Sequence, residues 1–241
     1  MIYITGSHGY IGSRLKSRGL LFDESIEECD LKIGRDVLTY MPKGKPDIIY
    51  HMAGQAGAVP SDEDPINDAR QNILGTLKAI EIANKYEARL IFPASAASLE
   101  PKSPYGLSKK IAEEYIKMLC NDYVILRLSS IFGDKPVGVV DNFIRGSKCV
   151  IYGKGTAIRD FVHVDDIVEA FILAKNWPKG VYDCGSKKGL HILDLAVATG
   201  KEVVFEPARN GEIQRSVLEN TTPDWVHKID VIQYIKEKCR T

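Results

Sequence analysis

Met1-Ile2-Tyr3-Ile4-Thr5-Gly6-Ser7-His8-Gly9-Tyr10-Ile11-Gly12 is the stretch that decides the fold. A short apolar run, residues 1–5, leads into glycines at positions 6, 9 and 12, and Ile11 and Leu15 then recur at helical spacing. A strand that turns through three glycines into a helix is the context in which this spacing is informative. One glycine allows the tight turn, one lets the backbone approach a bound pyrophosphate, and one lets the helix pack on the strand. The helix start adds free N–H donors and the positive end of its dipole. Gly6, His8, Gly9, Tyr10, Ile11 and Gly12 are therefore the first cofactor-contacting candidates, with the side chain of His8 read as a surface group.

Working outward, residues 25–30 read as a second strand ending in Asp30. A carboxylate there accepts hydrogen bonds from the adenosine ribose and repels a 2′-phosphate, so NAD is expected in preference to NADP. Further strands are expected at 47–51, 89–95 and 123–128, and helices at 10–20, 69–86 and 105–119. This alternation implies an α/β fold, a Rossmann-like doubly wound parallel sheet. Residues 31–46 are too few for a full crossover, so one of the usual six units is expected to be missing or vestigial. After Gly133 the elements shorten and Gly and Pro become frequent, as in a small, trimmed C-terminal lobe, with a helix at 165–175, a strand at 181–184 and a terminal helix at 229–238. The expected domains are an NAD-binding domain at 1–133, to whose sheet 158–185 return, and a mostly substrate-binding lobe at 134–241.

Ser95 ends the 89–95 strand, and Tyr105 and Lys109 open the next helix one turn apart. A tyrosine ionises near pH 10 and needs help to act as a base near neutrality. The charge of Lys109 favours the phenolate, a nicotinamide cation adds to it, and Ser95 can hold a reacting hydroxyl in line. Ser95, Tyr105 and Lys109 are the expected catalytic group, the last two also touching the cofactor. His51-Met52-Ala53-Gly54 leaves the third strand with small residues suited to a close approach to the cofactor. His51 itself is read as a buried histidine satisfying a loop carbonyl.

The 241 residues carry 32 Lys plus Arg against 32 Asp plus Glu, which gives no overall field toward nucleic acid or an anionic membrane. Five widely spaced cysteines form no zinc pattern, so no metal is expected, and they read as reduced thiols of a cytoplasmic protein. The chain begins without an apolar leader and holds no run of membrane-spanning length, which supports the same expectation.

Taken in order, these segments resemble the extended short-chain dehydrogenase/reductase family, in particular its NAD-dependent nucleotide-sugar epimerases and dehydratases. Thr5 to Gly12 is similar to the family's TGxxGxxG, and Tyr105 and Lys109 to its YxxxK. Arg127 to Gly133 looks like its RxxNxYG, and Arg159-Asp160-Phe161-Val162-His163-Val164-Asp165-Asp166 like its RDFVHVDD. The resemblance implies adenine contacts at Asp36 and Val37, cofactor contacts at Met52, Ala53, Gly54 and Asn72, and a nucleoside diphosphate sugar as substrate. Substrate contacts would fall on Ser95, Ser130, Arg159 and Arg209, while Asp165 and Asp166 are read as caps of the following helix. It also implies a homodimer through the 69–86 and 105–119 helices, whose Ile73, Leu77, Ile80, Ile111 and Leu119 equally suit packing on the chain's own sheet. Three departures stand out. Ala96 and Ala97 replace the dehydratases' acidic pair, Ser130 replaces an asparagine, and only nine residues separate Ser95 from Tyr105. The expected activity is epimerisation, at carbon 4 of a UDP-linked hexose, through a transient 4-keto sugar. The alternatives are a reductase or dehydrogenase of a keto-sugar nucleotide and a non-catalytic NAD-binding sensor or scaffold.

Overall fold

Strand β1 (Ile2–Thr5) is buried at every position, as a short apolar segment must be when strands flank it on both sides. In this computed structural model residues 1–17, 25–135, 138–208 and 213–240 are described. After β1 come α1 (Tyr10–Ser17), β2 (Ile26–Cys29), β3 (Ile48–His51), α2 (Ala58–Glu63) and α3 (Pro65–Ala69). A π-helical segment (Arg70–Leu74) then runs into α4 (Gly75–Tyr86), followed by β4 (Arg89–Ser95), α5 (Pro104–Leu119) and β5 (Tyr123–Leu128). The chain continues through β6 (Ser130–Phe132), α6 (Gly138–Arg145), β7 (Cys149–Tyr152), β8 (Ile158–Arg159), β9 (Phe161–His163), α7 (Val164–Ala174) and β10 (Gly180–Cys184). It ends with β11 (Leu190–His191), α8 (Ile192–Ala198), β12 (Val203–Glu206), β13 (Arg215–Ser216) and α9 (Val231–Cys239). Two units result, Met1–Arg127 with Ala170–Tyr182, and Leu128–Glu169 with Asp183–Thr241.

The main sheet has the order β10-β5-β4-β3-β1-β2. β1 pairs in parallel with both β2 and β3, and β3 in parallel with β4. The winding therefore reverses at β1, and the segments leaving β1 and β3 part there, which is where an open α/β sheet holds a ligand. β2 is the edge strand, and residues 31–46 hold only a 3-10 turn, Leu31–Ile33, and irregular chain. The crossover unit expected to be missing is absent among the described residues. Val124, Ile125 and Leu126 of β5 are fully buried, as in a strand covered on both faces. The first unit's core joins the strand residues Tyr3, Ile49, Leu90, Phe92 and Ile125 to Ala79, Ile82, Ala83, Ala112 and Ile116 of α4 and α5.

The single helix expected over 69–86 starts earlier, at Pro65, with the Asp64 carboxylate accepting the Asn67 N–H at 2.9 Å. A carboxylate cap followed by proline is a strong helix start.

In the second unit, Phe132, Phe143, Ile151, Phe161, Leu195, Val231 and Ile235 form a separate core. Its strands make small sheets, β6 with β9, β7 with β12, and β8 between β11 and β13. Asp165 and Asp166 do not cap α7, which begins at Val164. The Asp166 carboxylate instead accepts the Lys228 and Ile229 N–H groups at 2.9 and 3.0 Å, tying the approach to α9 onto α7.

Candidate active site

At the switch point the first unit opens a cleft of about 400 Å³, lined by Gly6, Gly9, Asp30, Lys32, Asp36, Val37, Met52, Ala53, Gly54, Gln55, Asn67 and Gln71 among others. Its floor is backbone laid on backbone. A Cβ on Gly6, whose φ is +66°, would stand 2.5 Å from the Ala53 nitrogen, and one on Gly12 would stand 2.2 Å from the Gly6 carbonyl oxygen. Neither approach tolerates a side chain. Thr5 joins the two strand ends, since its carbonyl accepts the Met52 N–H at 3.0 Å and its hydroxyl the Ala53 N–H at 3.2 Å.

Asp30 follows β2 and caps the 3-10 turn, accepting the Lys32 N–H at 2.8 Å and the His8 N–H at 2.9 Å. The carboxylate is thus fixed on the cleft wall by backbone donors, and each oxygen keeps a lone pair for a further donor. The His8 ring lies toward Glu28 and Asp30, outside the cleft lining. Asp36 accepts the Leu38 N–H and pairs with Arg70 at 3.1 Å. Tyr10, Ile11 and Gly12 form the α1 start and do not line the cleft.

Gly54 links the cleft to Asn72 and Lys109. A Cβ there would meet Asn72 Oδ1 at 2.6 Å and Lys109 Nζ at 3.8 Å. Tyr105 stands at the start of α5, where the Ser103 hydroxyl accepts the Gly106 N–H and Pro104 begins the helix. Its own N–H donates to Ser61 Oγ of α2 at 2.9 Å. Burial and the charge of Asp68 hold the Tyr105 phenol above its ordinary ionisation range, with the Ser95 side chain acting in the opposite sense. The phenolate is expected to be favoured by Lys109 and a nicotinamide cation, and burial opposes them. Lys109 Nζ donates to the Pro93 carbonyl at 2.9 Å, stands 4.6 Å from the centre of the Phe92 ring, and is pulled down to about 8 by burial against the charges of Asp68 and Glu113.

His51 does not serve a loop carbonyl. Its Nδ1 meets Thr5 Oγ1 at 2.7 Å and its Nε2 meets Thr76 Oγ1 at 3.3 Å, and the Thr76 hydroxyl donates to the Asn72 carbonyl. Thr76 must then accept from Nε2–H, which leaves Nδ1 to accept from Thr5. Burial and the Lys109 charge push His51 down to about 3, so the ring stays neutral.

The short segment after Ser95 is pinned on both sides. Ser98 Oγ bonds the Ser95 carbonyl and the Glu113 carboxylate, and Glu113 also receives Arg127 through Nε at 3.0 Å and Nη2 at 2.8 Å. A Cβ on Gly106 would lie 2.7 Å from the Ala97 carbonyl oxygen, so the segment rests directly on the first turn of α5.

The model of the NAD-dependent epimerase/dehydratase family matches residues 2–185. The chain belongs to that family. It is 26% identical to a putative UDP-glucose 4-epimerase of Methanocaldococcus jannaschii, over 98% of this chain and 96% of that one. Among solved structures it is similar to the UDP-glucose 4-epimerase of Thermotoga maritima with UDP-glucose, at a TM-score of 0.85 and 26% identity over 99% of this chain and 97% of that one. The Thermus thermophilus UDP-glucose 4-epimerase in complex with NAD matches at a TM-score of 0.83 and 26% identity, over the same shares of each chain.

The residues of this family member fit the family's dinucleotide. Gly6 and Gly9 line the cleft with bare backbone, Asp30 is held at the end of β2, and Asn72 Oδ1 and Gln55 Nε2 are buried without a hydrogen-bond partner. A ligand is the ordinary remedy for such orphaned groups. Ser130 and Arg159 lie in the second unit, where the Arg159 guanidinium donates to the carbonyls of Ile158 and Ile213. Arg209 lies outside the described residues.

Sequence reasoning missed Gln55, Asn67, Gln71, Lys32 and Asp68. Asn67 with Gln71 and Asp68 with Asn72 stand one helical turn apart, across residue 69, the expected start of the helix. Two polar pairs at that spacing, next to an Asp-Pro helix start, were the available signal. Among the described residues no cluster suited to a metal ion is found, and no helix is long and apolar enough to cross a membrane.

Proposed function

We propose that this chain is an NAD-dependent epimerase of a nucleoside diphosphate hexose, acting at carbon 4 through a transient 4-keto sugar. The observation that carries the reading is buried Lys109, one turn along α5 from Tyr105, its Nζ 3.8 Å from where a Cβ of the cleft residue Gly54 would stand. The names of the relatives supply the substrate class.

In this reading Tyr105 accepts the proton of the 4-hydroxyl and returns it when the sugar is reduced from its other face. Ser95, whose Oγ accepts the Ala97 N–H at 3.2 Å, holds that hydroxyl in line and steadies the charge on its oxygen. When bound, NAD supplies a hydride acceptor and the positive charge of its nicotinamide ring. Gly6 and Gly9 would hold its pyrophosphate, Asp30 its ribose, Asp36 and Val37 its adenine, and Met52, Ala53, Gly54 and Asn72 the remainder. The first unit thus serves as cofactor domain and the second as substrate lobe. Arg159, Arg209 and Ser130 would receive the nucleotide diphosphate, a task suited to a guanidinium fork. Ala96 and Ala97 offer no acid for eliminating water, which favours epimerisation over dehydration.

The protein is further proposed to be a cytoplasmic homodimer. All five cysteines are free thiols. Tyr115, Met118 and Leu119 of α5 and Leu74 beside α4 are exposed, a face that a second copy would cover.

The test is to incubate the protein with UDP-, GDP-, CDP- and dTDP-sugars, with and without added NAD or NADH, following sugar configuration by NMR and the reduced nicotinamide absorbance together. Interconversion of two epimers without net cofactor change is expected. Stoichiometric NADH consumption or formation would replace the reading with a reductase or dehydrogenase, and silence over the whole panel would reject it.

A further inference from the structure

Lys109 is 6% exposed and Asp68 1% exposed, in an interior where an uncompensated charge is costly. Each needs a partner. Glu113, one turn along α5, is committed to the double hydrogen bond from Arg127 and to Ser98. His51, from β3, is neutral, and Pro93 and Phe92 of β4 offer only a carbonyl and a ring face. Tyr105 lies on the same helix as Lys109.

The other carboxylate whose charge acts on Lys109 is Asp68. It accepts from the Asn72 side-chain amide at 2.9 Å, and the same amide nitrogen reaches the Gln55 carbonyl and Ser108 Oγ, each at 3.1 Å. Ser108 directly precedes Lys109, so this network carries Asp68 to the helix that bears the lysine. Among the described residues no arginine or lysine, Lys109 included, stands within ion-pair distance of Asp68, so its charge acts on the ammonium through the buried interior and not by direct contact.

We propose that Asp68 is the buried counter-charge of Lys109, a positioning residue that keeps the ammonium ionised inside the protein and reaches Tyr105 through the same field. The proposal rests on the epimerase reading for its catalytic meaning and on the Asp68–Asn72–Ser108 network for its geometry. The electrostatics agree, because the negative charge of Asp68 opposes the loss of the Lys109 proton and also the ionisation of Tyr105.

The signs then follow for the pH dependence. Turnover needs Tyr105 ionised and Lys109 protonated, so both groups shape the pH profile. Asp68 raises both limits, so its removal moves both to lower pH. A residue that only braces the fold would lower the rate and leave the limits in place.

The experiment titrates lysine side chains labelled with ¹³C beside the amine, with the Lys109 resonance assigned by its disappearance in Lys109→Met. In the full-length protein the Lys109 midpoint is expected near the value of about 8 set by burial. Asp68→Asn, which keeps the shape and an oxygen for Asn72, is expected to lower that midpoint by about one pH unit. Asp68→Glu is expected to restore it. Both limbs of the kcat/KM profile for an accepted nucleotide sugar should move down together in Asp68→Asn and return in Asp68→Glu. An unmoved Lys109 midpoint in Asp68→Asn overturns the proposal. Failure of every sugar to turn over would sink the epimerase reading alone, since the lysine titration needs no substrate.

Discussion

Asp30 and Asp68 are both carboxylates of the first unit, and they are held in opposite ways. Asp30 takes backbone N–H groups from Lys32 and His8 at the cleft wall, while Asp68 is sealed inside with a side-chain amide and the field of Lys109. One region is made of backbone and short loops and the other of side chains drawn together from α3, the π segment and α5. The backbone region depends on close approach, so it fails by steric intrusion. The buried region depends on charge, so it fails when a proton or a counter-ion is misplaced.

Three substitutions separate the two. Tyr105→Phe is expected to cut turnover by about a thousandfold while leaving NAD binding nearly intact, because only the ionisable oxygen is lost. Turnover and cofactor retention measured on one sample decide it, and wild-type activity would end the proposed mechanism. Gly6→Ala attacks the backbone region, since the new methyl lies 2.5 Å from the Ala53 nitrogen at a φ of +66°. A loss of roughly tenfold or more in NAD affinity with about 1–3 kcal/mol of stability is expected, read by NAD titration and thermal unfolding. The smallest effect belongs to Asp30→Ala, which should relax the discrimination against NADP by about tenfold, or about 1.4 kcal/mol, as one charge is removed. Unchanged cofactor selectivity would remove Asp30 from the site.

The same contrast explains what the sequence disclosed. β4 and β5 span the expected 89–95 and 123–128, and the glycine turn, Asp30 and the 105–119 helix are local patterns whose physics is complete within a few residues. The part of the site around Asp68 escaped because its meaning lies in what folds against it. The His51 ring found two threonine hydroxyls, one on β1 and one on α4, that no local pattern pairs. The helix read as starting at residue 69 was cut short because the Asp64-Pro65 start was overlooked. The strands β6 to β9 and β11 to β13 are two to four residues long, too short for a period of two to declare itself.

The π turn at Arg70–Leu74 carries one residue more than an ordinary helical turn and lies between Asp68 and Thr76. A chain one residue shorter here would run as a regular helix, with the residues on either side keeping nearly the same phase, because the wide turn takes up its extra residue within itself. Asp68 and the His51 partner Thr76 would still face one interior. Alignments of related chains should therefore gather single-residue gaps in this interval rather than in the helix on either side of it.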